Sequence, residues 1–108
     1  MEQDQIQNVA FNIILHSGSS RTLIHNAFEL MRNNEFESAA SRLEEANDDL
    51  LSAHQTQSSL LQQYSSGEDV NVDIIMVHAQ DHLMTTMTLR EVALEMLSLY
   101  ERIAKIDK

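Results

Sequence analysis

A chain of 108 residues with 7 Lys+Arg against 17 Asp+Glu, no Cys, no Pro and two Gly reads as one acidic domain over residues 1–108. Its formal charge of −10 excludes a surface built to wrap nucleic acid or an anionic membrane, which needs Lys and Arg to displace counterions, and favours oppositely charged partners. The lack of Cys excludes disulfides and thiolate zinc sites; the longest apolar run, Ile74-Ile75-Met76-Val77, is four residues, and the start is acidic, so neither a membrane span nor a secretory leader is expected and the domain is placed in the cytoplasm.

The first predicted helix covers residues 5–31. Ile6, Val9, Ala10, Ile13 and Ile14 follow three/four spacing, and Leu23, Ile24, Ala27, Phe28, Leu30 and Met31 resume it. Between them His16-Ser17-Gly18-Ser19-Ser20 predicts a kink or weak turn, because glycine is costly inside a helix. Asn33-Asn34 is a turn signal, and either Asn suits the N-cap of a second helix over residues 35–64. On that helix Phe36, Leu43, Leu50, Gln57 and Tyr64 form one heptad seam, and Ala40, Asn47, His54 and Leu61 an adjoining, more polar one. The polar positions read either as hydrogen bonds that set register or as a wetter lower half.

Ser65-Ser66-Gly67-Glu68-Asp69 predicts the second break, with acids suited to a helix N-terminus. The third helix is expected over residues 71–104 and is apolar on more than one face. A helix at the rim of a monomeric bundle needs one apolar stripe, so the surplus predicts burial in an oligomer. Lengths near 30 residues, about 45 Å each, support this and point to long helices in an all-α fold.

The third helix also holds the chemically distinctive segment. His78, Asp81, His82 and Thr85 fall at i, i+3, i+4 and i+7 and share one face, in the most apolar stretch of the chain, so part of this set is expected to be buried. Chemistry alone leaves three readings open. A neutral imidazole is a nucleophile whose tautomer a second polar group can fix. The His/Asp/His set can supply metal ligands, completed by other chains. Or the set is a polar layer that sets register.

Beyond spacing, His78-Ala79-Gln80-Asp81-His82-Leu83-Met84-Thr85-Thr86 closely resembles the signature of the enzyme IIA component of the lactose/cellobiose family of the phosphoenolpyruvate-dependent sugar phosphotransferase system. His16-Ser17-Gly18-Ser19-Ser20-Arg21, Glu35-Phe36 and Ala53-His54-Gln55-Thr56-Gln57 extend the resemblance over nearly the whole chain, and Asn33-Asn34 departs from it where many members have Gly before an acid or Asn. The resemblance implies an antiparallel three-helix subunit assembled as a homotrimeric nine-helix bundle. It implies that His78 accepts a phosphoryl group from the phosphocarrier protein HPr and passes it to a cysteine of the IIB component, while the membrane IIC component imports the sugar. It further implies that Asp81 of three subunits shares one structural divalent cation, magnesium. Such a chain is a relay in a phosphotransferase system rather than a stand-alone enzyme. The competing class is a non-catalytic helical adaptor whose His/Asp layer only sets register.

Phosphoryl transfer needs donors or positive charge around the phosphoryl oxygens. Residues 43–89 hold no Lys or Arg. The neutral donors expected to support His78 are Gln80, His82 and Thr85, with Arg21 and Arg90 as possible cations from elsewhere. His54 is expected either near the site or in an ordinary interhelical bond. His16 and His25 are assigned to the surface or kink, and Met31, Met76, Met84, Met87 and Met96 to the core. Ala79 leans toward the cellobiose/chitobiose branch.

Overall fold

The computed structural model describes residues 2–106; Met1, Asp107 and Lys108, part of the domain expected over 1–108, lie outside the described residues. Three helices follow in order: α1 (Gln3–Arg32), α2 (Phe36–Ser65) and α3 (Ile74–Ile106). They pack antiparallel in sequence into a rod of 60 × 20 × 19 Å.

Each helix turns a strict alternation of three- and four-residue steps inward. On α1 it is Ile6, Ala10, Ile13, Ser17, Ser20, Ile24, Ala27 and Met31, all fully buried. This heptad geometry suits shallow crossings between long helices. The run is continuous through Gly18, so the expected break at residues 16–20 does not occur. A Cβ at Gly18 would meet nothing within 4 Å, so no close approach demands glycine there. On α2 the buried seam is Ala39, Leu43, Ala46, Leu50, Ala53 and Leu60. The large-residue half of the expected seam holds at Leu43 and Leu50. Its companion is displaced by one residue: Ala39, Ala46 and Ala53 face the core, whereas His54 and Leu61 are exposed. Small side chains there let α1 come close, and the polar strip is pushed outward.

Both turns differ from the expected caps in the same way. Asn34 has φ 61, and the amides of Asn34 and Glu35 bond back to Met31 O and Leu30 O at 3.1 and 2.9 Å. This is a Schellman ending with Asn in the left-handed position, a conformation Asn tolerates better than most residues. The Asn pair therefore stops α1 rather than starting α2, whose N-cap is Glu35. Gly67, φ 94, does the same for α2, with Gly67 N on Tyr64 O and Glu68 N on Gln63 O, both 3.1 Å. The start of α3 is set not at Glu68-Asp69 but at Asp73. Its Oδ1 accepts from Met76 N at 3.0 Å, an N-cap bond, and its Oδ2 accepts from Gln3 Nε2 at 2.7 Å, tying the ends of α1 and α3 together.

The core is split. One apolar cluster includes Ile6, Ile13, Leu50, Leu60, Met76 and Leu83; the other includes Ile24, Met31, Leu43, Ala93 and Leu97. Between them lies a polar waist. Ser20 Oγ donates to Ala46 O at 2.9 Å, and Arg90 Nε donates to Leu43 O at 2.8 Å. Ser17 and Thr86 are fully buried in the same layer. A polar layer between helices thus exists, but it is built from Ser20, Thr86 and Arg90 and not from the His/Asp set.

Candidate functional site

The four same-face residues of α3 are presented together, and mostly outward. His78, Asp81 and Thr85 are exposed and His82 is half-buried, so the expected partial burial falls on His82. The α3 core residues Met76, Ala79, Leu83 and Thr86 take the inward positions, which leaves His78 and Asp81 no place in the subunit core. The rings of His78 and His82 meet edge to face, centroids 6.0 Å apart with an interplanar angle of 77°.

The flank is tied to α1 by Arg21. Its Nη2 donates to Thr85 Oγ1 at 2.8 Å and to Thr86 Oγ1 at 2.9 Å, and its Nε donates to Thr86 Oγ1 at 3.1 Å. Thr85 Oγ1 donates in turn to Asp81 O at 2.8 Å. The Thr85 hydroxyl is therefore committed to its own helix and to Arg21, an anchor more than a free donor. Thr86 Oγ1 lies 2.6 Å from His82 O and 3.4 Å from His82 Nδ1. Of the two arginines considered from sequence, Arg21 comes to this flank; Arg90 is engaged with the α2 backbone in the waist.

Gln80 is not brought to His78. It projects toward α2, where it is hydrogen-bonded to Gln57 and its Nε2 lies 3.6 Å from Met76 Sδ. At 100° per residue, two positions along a helix are 200° apart, which puts His78 and Gln80 on opposite flanks. His54 is likewise remote within the subunit: it lines a cleft of about 240 Å³ between α2 and α3 with Asn47, Leu51, Met87, Arg90 and Glu91. His16 is neither a kink nor a free surface group; its Nδ1 lies 3.2 Å from Asp49 Oδ1, which joins α1 to α2. His25 is exposed and tilts against Phe28 with centroids 6.4 Å apart.

A second stripe runs along α3 opposite its core face: Val77, Met84, Val92, Leu99 and Ile103, with Asp81, Thr88 and Glu95 between them, all exposed. Met84, expected in the core, is 50% exposed here. Asp81 is the acid of this stripe near His78. Among the described residues no group of three or more His, Cys, Asp or Glu is placed to hold a metal ion. One Asp81 carboxylate gives a hard oxygen ligand but too few to hold a cation alone. No helix of the described residues is long and apolar enough to cross a membrane.

Of the two readings of the polar α2 seam, the interhelical hydrogen bond holds at Gln57, which bonds to Gln80 of α3, whereas sequence reasoning missed the part played by Thr86. The signal was present: Thr86 occupies the heptad position between Ala79 and Ala93, and a polar residue in a core seam demands a partner.

Comparison with known proteins fits this geometry. Residues 8–101 match the family described as PTS system, lactose/cellobiose specific IIA subunit. The lactose-specific EIIA component of the phosphotransferase system of Staphylococcus epidermidis is 36% identical over 102 residues, which is 94% of this chain and 98% of the relative. The crystal structure of PtcA from S. mutans matches with a TM-score of 0.92 at 57% identity, covering 94% of this chain and 99% of that one. The IIA(chitobiose) subunit, solved in solution in complex with HPr of the Escherichia coli phosphotransferase system, matches with a TM-score of 0.78 at 28% identity, over 96% of this chain and 99% of that one. The three-helix rod and the His78–Thr86 segment thus sit in a known frame: the chain belongs to the lactose/cellobiose-specific IIA subunit family of the phosphotransferase system.

Proposed function

We propose that the chain is a cytoplasmic phosphoryl carrier that takes a phosphoryl group from phosphorylated HPr on His78 and gives it to a cysteine of a IIB component, which serves uptake of a β-linked disaccharide through a membrane IIC component. The observation that carries the reading is the presentation of His78. Its imidazole stands exposed on the flank of α3, edge-on to His82, where a protein partner has access to it. A ring nitrogen of neutral His78 attacks phosphorus as the bond to the HPr nitrogen breaks. In the second step the IIB cysteine thiolate attacks, a P–S bond forms, and His78 leaves neutral. Nε2 is the favoured nucleophile, because Nδ1 of a helix-borne histidine lies nearer its own backbone.

Support for the phosphoryl oxygens comes from His82 and from the charge that Arg21 carries to a segment otherwise without basic side chains. Thr85 serves by anchoring Arg21. Gln80, held on Gln57, has no such role within the subunit. The similarity to IIA(chitobiose) solved with HPr supports HPr as donor. The relatives' names span lactose, lichenan, cellobiose and chitobiose, which supports a β-linked saccharide without choosing one.

The exposed outer stripe of α3 supports assembly as a homotrimer through that helix. Three Asp81 carboxylates brought together would repel, and a shared hard cation such as Mg²⁺ would neutralise them through oxygen ligands. The adaptor alternative loses its main support, since Ser20, Thr86 and Arg90 already form the polar layer between helices.

The test is incubation with phosphoenolpyruvate, enzyme I and HPr. Wild type is expected to acquire an acid-labile, base-stable label, absent in His78→Ala with its oligomeric mass unchanged. No label on wild type beside fully charged HPr overturns the reading.

A further inference from the structure

We propose that His78 and His82 form a binding site for a borderline transition-metal ion, Zn²⁺ above all, and that an ion held there blocks phosphoryl acceptance; the block, though not the binding, rests on the carrier reading. The two imidazoles stand at i and i+4, one turn apart on the same flank of α3, the spacing at which two helical histidines reach one ion. Their rings already meet, with centroids 6.0 Å apart. Two imidazoles that share a tetrahedral ion through Nε2, with Zn–N bonds of about 2.0–2.1 Å, have centroids about 5 Å apart. Turning the exposed His78 side chain covers the difference. His82 is the fixed half. It is half-buried, its Nδ1 edge faces Thr86 Oγ1 at 3.4 Å, and the opposite edge, which leads to Nε2, faces back along the helix toward His78.

The surroundings favour a cation. From Leu43 to Leu89 the chain carries acids but no Lys or Arg. Arg21, the cation that comes to this flank, is engaged by Thr85 and Thr86, on the far side of His82 from His78. Among the described residues neither imidazole is held on a carboxylate, whereas His16 is held on Asp49. Nitrogen donors select zinc, copper or nickel over magnesium, a hard ion that takes oxygen, so the pair is distinct from the oxygen site suggested for Asp81. Among the described residues no third His, Cys, Asp or Glu is grouped with the two rings, so water completes the coordination and the ion is exchangeable. The lone pair of His78 Nε2 that binds zinc is the one that attacks phosphorus. Ion and phosphoryl group therefore exclude each other on that atom.

The experiment is Zn²⁺ titration of the untagged full chain in Mg²⁺ buffer, followed by calorimetry and by long-range ¹H–¹⁵N correlation of ¹⁵N-labelled histidines, with no phosphoryl donor present. One Zn²⁺ per chain is expected, and the Nε2 signals of His78 and His82 should shift together while those of His16, His25 and His54 stay. His78→Ala and His82→Ala should each weaken binding about ten-fold or more, as loss of a ligand requires. His82→Gln keeps a polar side chain at the half-buried position and carries the test if His82→Ala fails to fold. Binding that survives the histidine variants, or one ion per three chains that Mg²⁺ displaces, overturns the site. Single-turnover uptake from purified phospho-HPr, freed of enzyme I, should fall in proportion to zinc occupancy and recover with a zinc-selective chelator. Uptake undiminished by bound zinc overturns the block. A chain that takes no label yet binds zinc through both histidines sinks the carrier reading and leaves the site standing. A labelled chain that binds no zinc sinks the site alone.

Discussion

The inner and outer faces of α3 both carry apolar residues and end up differently. The inner face is apolar at three- and four-residue steps, and the outer face is apolar at steps of seven or eight up to Leu99. Met76, Ala79, Leu83, Ala93 and Leu97 are closed off by α1 and α2, while Val77, Met84, Val92, Leu99 and Ile103 are covered by nothing in the subunit. The inner face interrupts its apolar run with neutral Thr86 and with Arg90 on a carbonyl, polar groups satisfied within one chain. The outer face interrupts its run with Asp81, Thr88 and Glu95, and among the described residues no set of metal ligands forms around either acid. A face that closes within the subunit carries polar groups paired within it. A face left exposed by the subunit carries charges that solvent can reach.

The difference can be broken most sharply at Leu99, 51% exposed. Leu99→Glu is expected to abolish association while leaving helicity intact, read by sedimentation and circular dichroism. The same experiment on the inner face behaves oppositely: Leu83→Ala, at a fully buried position, should cost about 2–5 kcal/mol of subunit stability in urea unfolding. If Leu99→Glu melts the helices, the outer stripe is part of the subunit core and the comparison is wrong.

Asp81 gives the next largest effect. Chelation of divalent cations is expected to lower the melting temperature of the wild-type assembly and to leave that of Asp81→Leu unmoved. If chelation changes neither mass nor melting, and Asp81→Leu is also harmless, the shared-cation idea fails.

The smallest effects sharpen the inner side. Ser20→Ala removes a buried bond to Ala46 O and should cost about 1 kcal/mol. Ser17 Oγ is buried without a hydrogen-bond partner among the described residues, so Ser17→Ala is expected to be neutral or to stabilise by up to about 1 kcal/mol. Equal losses at both serines in denaturant titrations would mean that Ser17 has a partner too.

Much of the site was legible from residues. His78, Asp81, His82 and Thr85 were placed on one face by spacing, and the structure keeps them there. Gln80 was misplaced because nearness in sequence stood in for nearness in space; two helical positions separate it from His78 by more than half a turn. Arg21 was noticed as a cation, but its fork onto Thr85 and Thr86 joins residues 64 and 65 positions apart. Both turns were found, but the Asn pair was assigned to the start of α2 and the acids Glu68-Asp69 to the start of α3. Asn suits both a helix start and a left-handed stop, and the left-handed φ of Asn34 shows that it stops α1, as Gly67 stops α2.

The sequence by itself determined that the chain is three long helices, that α3 has more apolar surface than one subunit needs, and that His78–Thr86 is the segment with chemistry. Those properties are local, set by periodicity, breakers and side-chain type. Tertiary structure decided which stripe turns inward, where the polar waist lies, and which cation meets which flank. Periodicity shows that a face is apolar but not what covers it, and the partners of Arg21 and Arg90 are set only when another helix arrives.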